Sequence, residues 1–250
     1  MLGLQIWIST VFTVARQFLT SICDLLRISI NSHFFYPRRH RSLANRIIFD
    51  LKFWRRFVAS DPVMSFNAIL GRSPNNTHML ACDACTSWGM AGVITFGTEY
   101  PEYPKLHGLF WQMSWSEWNA VDQTPHLTPG EVLINVAEFL AALVTCETFA
   151  KYCSHKTTTL QIDSTVARTW FDSCRCPKHP FDRCAQAVHL HVLKLSAQFR
   201  TLWVPSGDNC VADILSRQRF STRLEGHDPR GNGQYFRKIQ PKWQQVIKFL

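Results

Sequence analysis

Acidic residues are scarce in this chain of 250 residues: 18 Asp and Glu stand against 27 Lys and Arg, for a formal net charge of +9 at pH 7. That balance favours a polyanionic partner, nucleic acid first. Apolar runs long enough to cross a bilayer are also lacking. The stretch from Leu2 to Ala15 has no basic start, is interrupted by Gln5, Ser9 and Thr10, and stops at Arg16, so it predicts neither a membrane span nor a secretory leader. There is no glycine-rich phosphate loop, no dinucleotide fingerprint and no Ser-His-Asp pattern, which removes the commonest nucleotide-dependent and nucleophilic enzymes. No internal repeat is visible, so a solenoid is excluded.

What is present can fold. The chain is 46% hydrophobic and 13% aromatic, with nine Trp, too apolar for disorder along its length. It is long enough for one main domain of about 150 to 170 residues plus appendages. Its nine cysteines (23, 82, 85, 146, 153, 174, 176, 184 and 210) are odd in number and scattered through predicted strands and helices. That is unlike a disulfide scaffold and predicts a reducing, intracellular compartment, cytoplasm or nucleus.

Residues 1 to 30 read as a short strand-like start and an amphipathic helix from about Arg16. After the basic loop Pro37-Arg38-Arg39-His40-Arg41, a helix from Ser42 carries Leu43, Ile47, Leu51, Trp54 and Phe57 on one face. Arg46, Lys52, Arg55 and Arg56 lie mostly on the other. The basic cluster could contact phosphates, although singly each charge suits a solvated face. Strands are predicted at 79 to 84, 90 to 96, 107 to 114, 158 to 163 and 201 to 204. Helices are predicted from Val136 to about Tyr152, Ser164 to Asp172, about Asp182 to Phe199, and after Asn209. The tail after Arg219 reads as a linker or extension. The order implies an α/β fold with a five-stranded mixed sheet and an N-terminal helical appendage. The domains expected are 1–72, 73–220 and 221–250.

Asp83, Glu138, Asp163 and Asp213 stand where a predicted strand ends or a helix begins. Acids at strand ends can converge on one edge of a sheet. Singly, each suits a turn or a cap, and Glu138, three residues after Asn135, fits a capping box. Together they offer hard oxygen donors of the kind magnesium prefers. Without a cation, clustered carboxylates would repel one another. Cys174, Cys176, His179 and Cys184 are also ligand types, but their spacing is irregular for zinc, and Cys82 and Cys85 read as buried thiols. Trp111 reads as core, while Trp115 and Trp118, among polar neighbours, read as candidates for an exposed surface.

Three strings carry a resemblance: Asp83-Ala84-Cys85 followed by Trp88-Gly89, Ile134-Asn135-Val136-Ala137-Glu138, and Asn209 with Ala212-Asp213-Ile214-Leu215-Ser216-Arg217. With the order of elements, they make residues 79–217 similar to ribonuclease H, in particular the form attached to reverse transcriptases of retroelements, of the LTR or DIRS-like kind. The resemblance implies a ribonuclease H-like sheet and an endonuclease that cuts the RNA strand of an RNA/DNA hybrid. It also implies that two Mg2+ ions, or Mn2+ in their place, are held by Asp83, Glu138, Asp163 and Asp213. Trp88, Asn135, Ser164, Asn209 and Arg217 are the residues it would set against nucleic acid. Residues 2–57 resemble, more weakly, the end of a retroelement polymerase and its connection, which makes a reverse transcriptase polypeptide a second expected partner. The chain has no Tyr/Phe-x-Asp-Asp polymerase motif. Many members of the family carry a histidine before the last acid, and Val204 to Ala212 has none. That departure makes a catalytically lapsed, hybrid-binding remnant the alternative reading.

Overall fold

The computed structural model describes residues 18–32, 41–59, 78–96, 106–121, 133–174, 176, 181–217 and 235–243, together with Gln5 and Val246. The chain divides into two compact units, Met1–Leu70 and Gly71–Leu250.

In the first unit, α1 (Thr20–Ser32) packs against α2 (Arg41–Ala59). Of the strand-like start, only Gln5 lies among the described residues, and it is helical and buried. The buried face of α2 is Leu43, Asp50, Phe53, Trp54 and Phe57; Leu51, expected inside, is exposed. The stripe is turned toward Phe53 because Phe53 stacks on Phe18. The Trp54 indole also donates to the Phe18 carbonyl at 3.1 Å. Asp50 can be buried because Ser21 donates to its carboxylate.

The second unit is built on a six-stranded mixed sheet. Its strands are β1 (Met79–Ala84), β2 (Gly89–Thr95), β3 (Leu106–Ser114), β4 (Thr157–Ile162), β5 (Gln198–Trp203) and β6 (Tyr235–Lys238), in the spatial order β5-β4-β1-β2-β3-β6. β1, β2 and β3 form an antiparallel meander, β4 and β5 run parallel to β1, and β6 runs parallel to β3. The helices are α3 (Trp115–Asn119), α4 (Ile134–Phe149), α5 (Thr165–Ser173), α6 (Phe181–Lys194) and α7 (Cys210–Ser216).

Strand alternation divides the core between two faces. Leu80, Cys82 and Ala84 of β1, with Met90 and Ile94 of β2, share one large cluster with α4 and α6. Ala81, Ala91, Val93 and Phe110 point the other way, into a smaller cluster with Ala212 and Leu215 of α7. Helix α4 is apolar on every side and buried from Val136 through Phe149 except at Glu138. A helix of that kind belongs inside, and α4 packs on β1 and β2 beneath α5 and α6.

Two expectations are corrected. The sheet has six strands and not five, because four residues of the supposed extension pair with β3 and bury Phe236 in the α7-side cluster. The following residues dock on α4, where Thr148 Oγ1 accepts from Lys242 N at 2.9 Å and Glu147 accepts from Val246 N at 3.3 Å. The tail is therefore part of this unit. Phe236→Ala should cost about 3–5 kcal/mol of stability, measured by denaturant unfolding, as for a core aromatic; a change below about 1 kcal/mol would mean β6 is dispensable. Secondly, Trp115 and Trp118 are fully buried and not surface residues. A capping box between Ser114 and Glu117 starts α3 and turns both indoles inward, and Trp115 Nε1 donates to the Cys85 carbonyl at 2.9 Å.

Candidate metal centre

The register of β1 on β4 sets Ala81 opposite Gln161. Continuing that offset by two places brings Asp83 level with Asp163, at the C-terminal ends of adjacent parallel strands. Open α/β sheets commonly bind ligands at that edge. Glu138 arrives from the first turns of α4, which starts at Ile134 after Leu133. Asn135 therefore lies inside the helix and not at its cap, so capping does not account for Glu138.

Carboxylate oxygens of Asp83, Glu138 and Asp163 all lie within 4.8 Å of one another. Glu138 Oε2 and Asp163 Oδ1 are buried without a hydrogen-bond partner. Orphaned buried carboxylate oxygens are costly, and a divalent cation would satisfy both. The donor set, all hard oxygen, fits Mg2+ or Mn2+ better than a soft metal.

The electrostatics carry the same signature. The Asp83 pKa is raised to about 6, first by burial and then by repulsion from Asp163 and Asp213, against the opposing effects of the Ser216 hydrogen bond and the Arg217 charge. The Glu138 pKa is raised to about 7, again chiefly by burial, with repulsion from Asp163 and Asp83 and a hydrogen bond from Ser164 opposing it. Strongly raised carboxyl groups from separate elements, meeting in one place, mark a functional site more often than a structural one.

Asp213, in the first turn of α7, stands outside this triad. Its Oδ1 takes Arg217 Nη2 at 2.7 Å and Nε at 2.8 Å. A half-exposed i,i+4 pair is worth only about 0.3–0.5 kcal/mol, so the pair matters for where it holds the charges. The Arg217 side chain is 48% exposed, so the pair faces solvent.

The remaining expected residues divide by environment. Ser164 caps α5 by accepting from Ala167 N, and its hydroxyl lies 3.3 Å from Asn135 Oδ1, so both flank Glu138 and Asp163. Trp88 is half-buried in the turn between β1 and β2, where its carbonyl accepts from Trp115 N. Asn209 is only 2% exposed and donates to the Cys82 carbonyl at 2.9 Å. Its amide seats α7 on β1, and its Oδ1 is buried without a hydrogen-bond partner. Of the zinc-type set, Cys174, Cys176 and Cys184 are buried in the large apolar cluster, and His179 lies outside the described residues. None of the nine cysteines is in a disulfide.

Two site residues escape the sequence reading. Ser216, fully buried, donates to Asp83 Oδ2; it lies between Asp213 and Arg217 in the sequence, but nothing local tells a buried serine from a helix-capping one. Trp203 Nε1 donates to the Asp163 carbonyl at 2.8 Å, a contact that only the β4–β5 pairing reveals.

No protein-family model matches the sequence, and no curated protein matches it. Among solved structures, the chain is similar to the N-terminal RNase H domain of rv2228c from Mycobacterium tuberculosis, solved as a fusion with maltose-binding protein. The identity is 14% and the TM-score 0.39, over 56% of this chain and 89% of that one. It is also similar to RNase H1 from the halophilic archaeon Halobacterium salinarum NRC-1, at 14% identity and a TM-score of 0.38, over 57% of this chain and 98% of that one.

Proposed function

We propose that this chain is a metal-dependent endonuclease of the ribonuclease H type, which hydrolyses the RNA strand of RNA/DNA hybrids. The observation that carries the reading is the convergence of Asp83, Glu138 and Asp163, from β1, α4 and the end of β4, with two orphaned oxygens among them. The sequence strings around these acids and the net charge of +9 lend support. Asp83, Glu138 and Asp163 would hold a divalent cation, Mg2+ first, and Asp213, close enough to raise the Asp83 pKa, would serve a second. Bound in pairs, such ions orient an attacking water and stabilise a leaving oxygen.

The chain's own residues do the positioning. Ser216 orients Asp83, Arg217 offers a half-exposed cation to the strand backbone, and Asn135 and Ser164 present polar groups beside Glu138. Selectivity for a hybrid would come from duplex shape and the 2′-hydroxyl, with little dependence on base sequence. We place the chain in a retroelement polyprotein, with residues 1–72 a polymerase remnant and a reverse transcriptase polypeptide as partner; nine cysteines outside any disulfide suit an intracellular setting. The alternative, a lapsed hybrid-binding remnant, is favoured by the absence of histidine between Val204 and Ala212. Digestion of a labelled hybrid with Mg2+ decides between them.

Ser216→Ala should raise the Mg2+ concentration needed for half-maximal cleavage by about 10–100-fold, the usual effect of losing a group that orients a ligand. Ser216→Thr should restore part of it. A Mg2+ titration unchanged in Ser216→Ala would remove Ser216 from the site.

A further inference from the structure

Asp163 is braced from the edge of the sheet by a tryptophan. Trp203 ends β5 opposite Ile162, and its indole N–H is fixed on the Asp163 carbonyl at 2.8 Å. β5 is the terminal strand on that side. The residue stays 43% exposed, whereas Trp54, Trp111, Trp115 and Trp118 are at 3% or less. Trp88, Trp170 and Trp243 are half-buried, and the last two pack on the core. Trp203 is thus the tryptophan, among the described residues, with its polar handle satisfied and much of its surface open. An aromatic side chain in water forgoes apolar burial that the core positions obtain, and this one stands a single residue from a ligand carboxylate. The anchored N–H also restricts the ring before any ligand arrives, which lowers the ordering entropy that binding would otherwise cost.

We infer that Trp203 is a nucleotide-stacking residue of this centre, its open face receiving a base or sugar next to the phosphate that meets Asp83, Glu138 and Asp163. The inference rests on the nuclease reading and adds a contact to it. Stacking on an aromatic face tolerates any base, so Trp203 strengthens the grip on the strand without selecting sequence. Thr201, two residues back on the same face of β5, is held by Arg168 Nε at 3.2 Å and bonds Asp172 at 2.7 Å. Those α5 side chains are thereby occupied with β5 beside the indole.

A purely structural brace differs from a stacking platform in one respect: the brace needs the indole N–H, and stacking needs only the ring. Hybrid affinity is therefore measured by fluorescence anisotropy on the full chain in the Asp83→Asn background with Mg2+, using a labelled RNA/DNA duplex. Trp203→Ala should weaken binding by about 5- to 150-fold, and Trp203→Phe should stay within about 3-fold of its parent. Affinity unchanged in Trp203→Ala, or lost equally in Trp203→Phe, overturns the inference while the nuclease reading stands. A parent that binds no hybrid overturns both. Thermal unfolding of each variant, with a midpoint within a few degrees of the parent, shows that the affinities compare folded proteins.

Discussion

Asp83→Asn should lower cleavage of an RNA/DNA hybrid by about 10³-fold or more, while the protein remains folded and still binds the duplex. Asn keeps the shape of Asp and can accept the Ser216 hydroxyl, but it carries no charge with which to hold a cation. Among the described carboxylates near the centre, Asp213 is paired with Arg217, and Glu138 and Asp163 already share the triad. The loss should persist when Mg2+ is raised, because the missing group is a charge and not a weak contact. The measurement is single-turnover digestion of a labelled hybrid, wild type beside variant. Equal rates would remove Asp83 from the mechanism. If neither protein cleaves and both bind, the chain is the lapsed remnant.

The site was legible where covalent neighbours carry the information. Asp83 follows an apolar run and Asp163 a β-branched one rich in Thr, and their convergence needs only adjacent parallel strands in step. Glu138 was legible as an acid near a helix start. What escaped depends on contacts between distant segments. Phe236 lies in four residues too short to announce a strand, and they pair because β3 leaves an edge and the α7-side cluster a place for the ring. The polar neighbours of Trp115 and Trp118 suggested a wet surface, but the capping box of α3 turns the polar side chains out and the indoles in. Asn209 stands at the N-cap of α7 as expected, but its side chain makes no capping bond and its amide reaches a carbonyl 127 residues earlier in the chain.

The same carboxylates that would hold metal should destabilise the metal-free fold at neutral pH, and this predicts that Asp83→Asn is more stable than wild type in EDTA. The sign follows from linkage. The folded-state pKa of Asp83, about 6, lies above its unfolded value near 3.9, so the group contributes stability below pH 4 that is lost as pH rises through 6. Glu138, raised to about 7, extends the loss toward pH 8. Two pKa units correspond to about 3 kcal/mol at most, and coupling within the triad makes about 1–3 kcal/mol the range for one substitution. In a unit of this size that is about 2–12 °C in the unfolding midpoint. The variant amide would also place a donor among the orphaned oxygens of Glu138 and Asp163. At pH 8 in EDTA, Asp83→Asn should therefore melt above wild type; at pH 4, where wild type is protonated, the difference should vanish. Mg2+ should reverse the order at pH 8 by stabilising wild type alone. Because protons and cations compete for the same oxygens, that stabilisation should shrink between pH 8 and pH 5. Equal midpoints in EDTA at pH 8, together with no response of wild type to Mg2+, would show that the three carboxylates do not share a site.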